Sequence, residues 1–117
     1  MRNGFAEGRL WDQEGTAWTR TRNWVDPEEA VALIDSGARW VINGCSSPFT
    51  WPDPQSEREL RRDVLPRLIT RRRALKRARR RTVPTVWFAE LWEEEGGGQL
   101  VLLLESGPYP RSTSQFH

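Results

Sequence analysis

One histidine, one cysteine, one methionine and one tyrosine among 117 residues leave this chain short of the side chains that most enzymes use. The lone Cys45 excludes an internal disulfide, and with His117 as the only imidazole a Cys/His shell around a metal cannot be assembled. As a nucleophile Cys45 needs a base, which only the terminal His117 could supply, so an inert thiol is the simpler reading. No Gly-x-Ser-x-Gly, Walker or dinucleotide fingerprint occurs. Gly96-Gly97-Gly98 lacks the Lys-Ser/Thr pair and following helix of a phosphate loop. No apolar run resembles a signal peptide or a membrane span. These absences predict one cytoplasmic domain over residues 1–117, with no cofactor, no metal and no membrane partner.

Arginine and tryptophan are what the chain has in excess. Pro54 to Arg81 holds twelve of the eighteen Lys and Arg residues and only three acids, while the remainder carries six cations and thirteen acids. A net charge of +2 therefore hides a bipolar molecule, able to attract an acidic partner, its own acids or a second copy of itself. At about 100° per residue, Leu60, Val64, Leu68, Leu75 and Ala78 fall on one arc, which predicts a single long helix over 54–81 with one buried stripe and outward arginines. Only Arg71 intrudes on that stripe. Pro66 falls nearly opposite it, where a kink is tolerated; a helix-turn-helix break at Asp63 to Pro66 is the competing reading. The seven tryptophans, Trp11, Trp18, Trp24, Trp40, Trp51, Trp87 and Trp92, spread over almost every element, so some should line a cleft or an interface.

In chain order, Arg9 to Asp12 and Thr16 to Arg22 read as a hairpin about Gln13-Glu14-Gly15. Asp26-Pro27-Glu28-Glu29 supplies an N-cap, a proline at the first helical position and a capping-box glutamate, and Gly37 ends the helix. Ala38 to Cys45 is a strand with Trp40 and Ile42 on one side, Val41, Asn43 and Cys45 on the other. Ser46 to Asp53 is a proline-stiffened loop presenting Phe49 and Trp51, and Ser56 with Glu59 offers a second capping box after Asp53-Pro54. Val83 to Glu94 and Gln99 to Glu105 form a hairpin about the glycines, with Leu100 to Leu104 apolar throughout and hence an interior strand. Val86, Phe88, Glu90 and Trp92 share a face, and enclosure there would raise the Glu90 pKa. Residues 1–7 and 106–117 have no pattern of their own and would need a partner to order them. The expectation is an α+β domain of ββαβαββ order: an antiparallel sheet packed against one short and one long basic helix, working as a dimer.

Two functions compete. The outward cations Arg72, Arg73, Lys76, Arg79 and Arg80 suit nucleic-acid phosphates, with tryptophans available to stack single-stranded bases. The alternative is a peptide cleft walled by Trp51, Trp87 and Trp92, with Phe49, Asn43 and Glu90 nearby. In size, in tryptophan richness from Trp11 to Trp92 and in the missing catalytic set, the chain resembles the small tailoring proteins of cinnamycin- and duramycin-type lanthipeptide clusters. The resemblance implies antibiotic biosynthesis: a homodimer binding a modified peptide and promoting addition of a lysine amine to dehydroalanine, the lysinoalanine bridge. It also implies that the substrate largely supplies its own base and the protein the positioning, and it transfers no individual functional residue.

Overall fold

Asp26-Pro27 starts a helix where the sequence places one. In the computed structural model of the chain, which describes residues 8–43, 48–77 and 85–106, helix α1 spans Pro27–Asp35 with Asp26 extended as its N-cap. The capping box itself does not close: Glu29 turns instead to Arg22, which donates two hydrogen bonds of 2.7 and 3.0 Å to its carboxylate. Gly37 ends the helix at φ 104°, a left-handed conformation that suits a residue without Cβ, and the amides of Gly37 and Ala38 donate back to Ile34 and Leu33.

The strands are β1 (Arg9–Trp11), β2 (Ala17–Val25), β3 (Arg39–Ile42), β4 (Val86–Glu94) and β5 (Gln99–Ser106), and they form one sheet of order β1-β2-β4-β5-β3. Both expected hairpins are present, and β5 lies inside the sheet, as its unbroken apolar run requires. The sheet is mixed rather than antiparallel, because β3 and β5 run in the same direction. The helices after β3 carry the chain across to β4, and the glycine turn then returns β5 alongside β3. At that turn Gly97, at φ 96°, donates to the Glu94 carbonyl. Asp12 pins the other hairpin: buried, it accepts from the amides of Glu14 and Thr16 and from Trp18 Nε1 at 3.1 Å.

Strand alternation sends side chains to two separate interiors. Ala89, Leu91, Val101 and Leu103 pack with Val25, Ala30, Ile34, Leu60 and Val64 under α1 and the first part of the basic stretch. Phe88, Trp92, Leu100, Leu102 and Leu104 pack on the opposite side with Leu10, Trp18, Val41 and Phe49. Leu10 and Val41 come from the two edge strands, so the sheet is strongly curled about this second interior. Phe49 closes the curl, since its amide donates to the Trp11 carbonyl at 3.0 Å and it forms a bridge with Asp12. Strand β3 therefore buries both of its sides, Val41 in one interior and Trp40 and Ile42 against the other.

The single long helix is the expectation the fold corrects. Helix α2 (Pro54–Glu59) widens into a π-helical turn at Leu60–Val64, tightens to a 3-10 turn at Leu65–Arg67, and stops. The widened turn lies just before Pro66, where it relieves the clash of the proline ring with the preceding carbonyl. Neither the kinked rod nor the break at Asp63 to Pro66 occurs. The break falls at Leu68–Thr70, where Leu68 bridges Trp87 and the Ile69 amide donates to the Trp87 carbonyl at 2.8 Å. Helix α3 (Arg71–Arg77) follows on the other side of the sheet. Leu60, Val64 and Leu68 accordingly belong to one interior and Ala74 to the other, while Leu75 is exposed. The second N-cap is Asp53 itself, which accepts from the Ser56 amide at 2.9 Å, rather than a Ser56 and Glu59 box. Ala78, Cys45, the start of the Val83 strand and both termini lie outside the described residues. Among the described residues no helix is long and apolar enough to cross a membrane.

Candidate functional site

The loop after β3 carries the most exposed concentration of large aromatics near open volume. Trp51 is half-buried and held on three sides. It meets Phe49 edge-on at 5.2 Å and Trp18 edge-on at 5.9 Å, and the Arg39 guanidinium lies 4.5 Å from its ring centroid. Such bracing fixes the indole before any ligand arrives. Its Nε1 is buried and has no hydrogen-bond partner among the described residues, an open donor in an otherwise satisfied wall.

Trp51, Pro52 and Asp53 form a partition between two adjacent pockets. The first, of about 490 Å³, lies at the carboxyl ends of the parallel strands β3 and β5 and is lined by Asn43, Ser56, Glu59, Trp87 and Glu105 in addition to the partition. Crevices at the carboxyl ends of parallel strands are where open sheets commonly admit ligands. The second, of about 520 Å³, is lined by Trp40, Arg39, Glu14 and Glu57 on the other side of the same partition. Asn43 ends β3 at φ 55°, a left-handed conformation that asparagine tolerates better than most residues. Asp53 faces both pockets, and the amide and hydroxyl of Ser56 hold its carboxyl below the usual range, so it is anionic at neutral pH. The arrangement joins flat indole surfaces to carboxylates, a combination suited to amines and guanidinium groups.

The six residues singled out by the sequence divide into three groups. Asn43, Trp51 and Trp87 meet at the first pocket. Phe49 is 3% exposed and stands behind Trp51, closing the sheet rather than lining either pocket. Glu90 and Trp92 sit on the curled sheet's inner face. Glu90, 3% exposed, accepts from Trp92 Nε1 at 3.0 Å and from Arg20 at 3.4 Å. Burial pushes its carboxyl above the ordinary 4.5, against the opposing pull of the Trp92 hydrogen bond, Arg20 and Arg71. Of the cations named for nucleic acid, Arg72, Arg73 and Lys76 are exposed on α3, and Arg79 and Arg80 lie outside the described residues. Sequence reasoning missed Arg39 and Asp53 as cleft residues. Asp53 was legible only as a helix cap, and nothing local to Arg39 says that it covers Trp51.

The division of the tryptophans is informative. Trp18, Trp87 and Trp92 are buried, Trp40 and Trp51 half-buried, Trp11 and Trp24 exposed. Among the described residues no cluster of three or more His, Cys, Asp and Glu side chains is placed to hold a metal ion. Compared with known protein families, characterised proteins and solved structures, the chain shows no match to any of them.

Proposed function

We propose that this protein binds a cationic, amine-bearing peptide across the Trp51 partition, and that it serves as a lanthipeptide-tailoring protein acting as a homodimer. The observation that carries the reading is the shared wall: one braced indole and one anionic Asp53 face two neighbouring pockets, so a peptide can seat a side chain on each side. Carboxylates give the cationic side chain a counter-charge, and Trp40, Trp51 and Trp87 supply apolar area for its methylenes. The open Trp51 N–H is available to a peptide carbonyl.

On this reading the reaction is addition of a lysine amine to dehydroalanine. The amine nitrogen bonds to the β-carbon of the alkene, and a proton moves from nitrogen to the α-carbon, directly or through a base on the peptide. No group leaves. Holding both partners in register is worth effective molarities of about 10⁵ M or more, so positioning can replace a dedicated dyad.

The test is titration of a dehydrated, lysine-containing lanthipeptide into the protein, followed by intrinsic tryptophan fluorescence. Trp51→Ala should weaken binding by about 2 kcal/mol, the scale of a central aromatic anchor, and Asp53→Asn by about 1 kcal/mol. Cyclisation leaves the peptide mass unchanged, so it is read as loss of the thiol adduct that free dehydroalanine forms. Unchanged affinity in both variants would sink the cleft, and binding without loss of the adduct would sink the tailoring role alone. Size-exclusion with light scattering reads the dimer.

A further inference from the structure

A third pocket, of about 410 Å³, opens between the end of β2 and α3, away from the Trp51 partition, and its chemistry is the reverse of the cleft's. It is lined by Trp24, Arg71, Arg72, Leu75 and Lys76. Trp24 is 52% exposed and Leu75 40%, so an indole and an aliphatic side chain stand uncovered among three cations. No carboxylate among the described residues lines this pocket.

The cations here are free in a way that their neighbours in sequence are not. Arg61 is engaged by Glu57 and Asp35, and Arg62 by Asp63. Arg72 and Lys76 make no ion pair with any described residue, and Arg71 Nε is buried without a hydrogen-bond partner among them. Trp24 is also braced: the Arg22 guanidinium lies 5.1 Å from its ring centroid and is itself tied to Glu29. Arg22 does not line the pocket, so the ring surface turned into the pocket is left for a ligand.

We propose that this pocket is a binding site for single-stranded nucleic acid, with a base stacked on Trp24 and flanking phosphates held by Arg72 and Lys76. A preset indole beside unpaired cations is the pairing such sites use, since every base offers a π-face and every linkage a negative charge. Charge selects an anion, and the exposed ring selects one that also carries a planar group. An acidic peptide satisfies only the first requirement. The surface is independent of the Trp51 cleft, and either can fail without the other.

The experiment is fluorescence anisotropy of a labelled oligothymidylate against the full chain over a salt series. Trp24→Ala should weaken binding about tenfold, within the range of one lost stacking contact. Arg72→Glu combined with Lys76→Glu should lower the magnitude of the salt slope by about 2, one for each lost phosphate contact. Trp51→Ala should leave oligothymidylate binding unchanged. Both altered sites are exposed, and circular dichroism confirms that the variants are folded. No binding at low salt overturns the proposal. So does equal affinity for an abasic strand, or polyglutamate binding as tightly as oligothymidylate with no effect of Trp24→Ala.

Discussion

The two parts of the basic stretch, 54–67 and 71–77, are alike in composition and opposite in use. The first buries Leu60 and Val64 under the sheet and spends Arg61 and Arg62 on Glu57, Asp35 and Asp63. The second buries only Ala74 and keeps Arg72, Arg73 and Lys76 exposed with no ion pair to any described residue. Acids at i−4, at i+1 and on α1 neutralise one part, and none is supplied to the other. A count of arginines therefore says little about where an anion binds. What matters is which guanidinium groups the fold has left without a carboxylate.

The sharpest way to break the comparison is through burial. Leu60→Ala should cost about 3 kcal/mol in urea unfolding, the usual penalty for a cavity at a fully enclosed leucine, whereas Leu75→Ala at the exposed position should cost under about 0.5 kcal/mol. Equal losses would mean that 71–77 is as much a core element as 54–67.

A second effect concerns Arg71, the cation of the second part that reaches the interior and faces Glu90. Because the Glu90 carboxyl is raised above 4.5 in the folded state, the folded protein holds that proton more tightly than the unfolded chain. Its contribution to stability is fully present below about pH 4.5 and is lost as pH rises through the folded value. Glu90→Gln keeps an oxygen acceptor for Trp92 and removes the titration, so unfolding followed across that window should show a flatter profile than the parent. An unchanged profile would show that Glu90 is not the group responsible.

Smaller still is the contribution of Pro66. If the Leu68 pairing with Trp87 sets the break, Pro66→Ala changes stability by no more than about 1 kcal/mol and leaves helix content by circular dichroism unaltered. A clear rise in helicity would restore the proline as the cause. Smallest is Arg61→Ala, whose two carboxylate partners are solvent-exposed and whose loss should cost about 0.5 kcal/mol, less in high salt.

Much of the local structure was legible because it rests on near neighbours. Asp26-Pro27 and Gly37 bounded α1, Gly96-Gly97-Gly98 joined β4 to β5, and alternation placed Phe88, Glu90 and Trp92 on one face. The candidate site was legible in part. Asn43, Trp51 and Trp87 meet, but Phe49 was spent on closing the curl and Glu90 on the inner face, because aromatic character does not say which side of a sheet a loop will join.

The amino-acid order alone determined the α+β class, the boundaries of α1, both hairpins and the concentration of positive charge after Pro54, since each follows from caps, turn residues or periodicity over a few positions. Tertiary structure decided the parallel pairing of β3 with β5, the crossing of residues 68–70 from one face of the sheet to the other, and the separation of an acidic cleft at Trp51 from a basic pocket at Trp24. These depend on contacts between residues far apart in the chain. A helical period continues unbroken through Leu68, and only the backbone of Trp87, nineteen positions on, stops it.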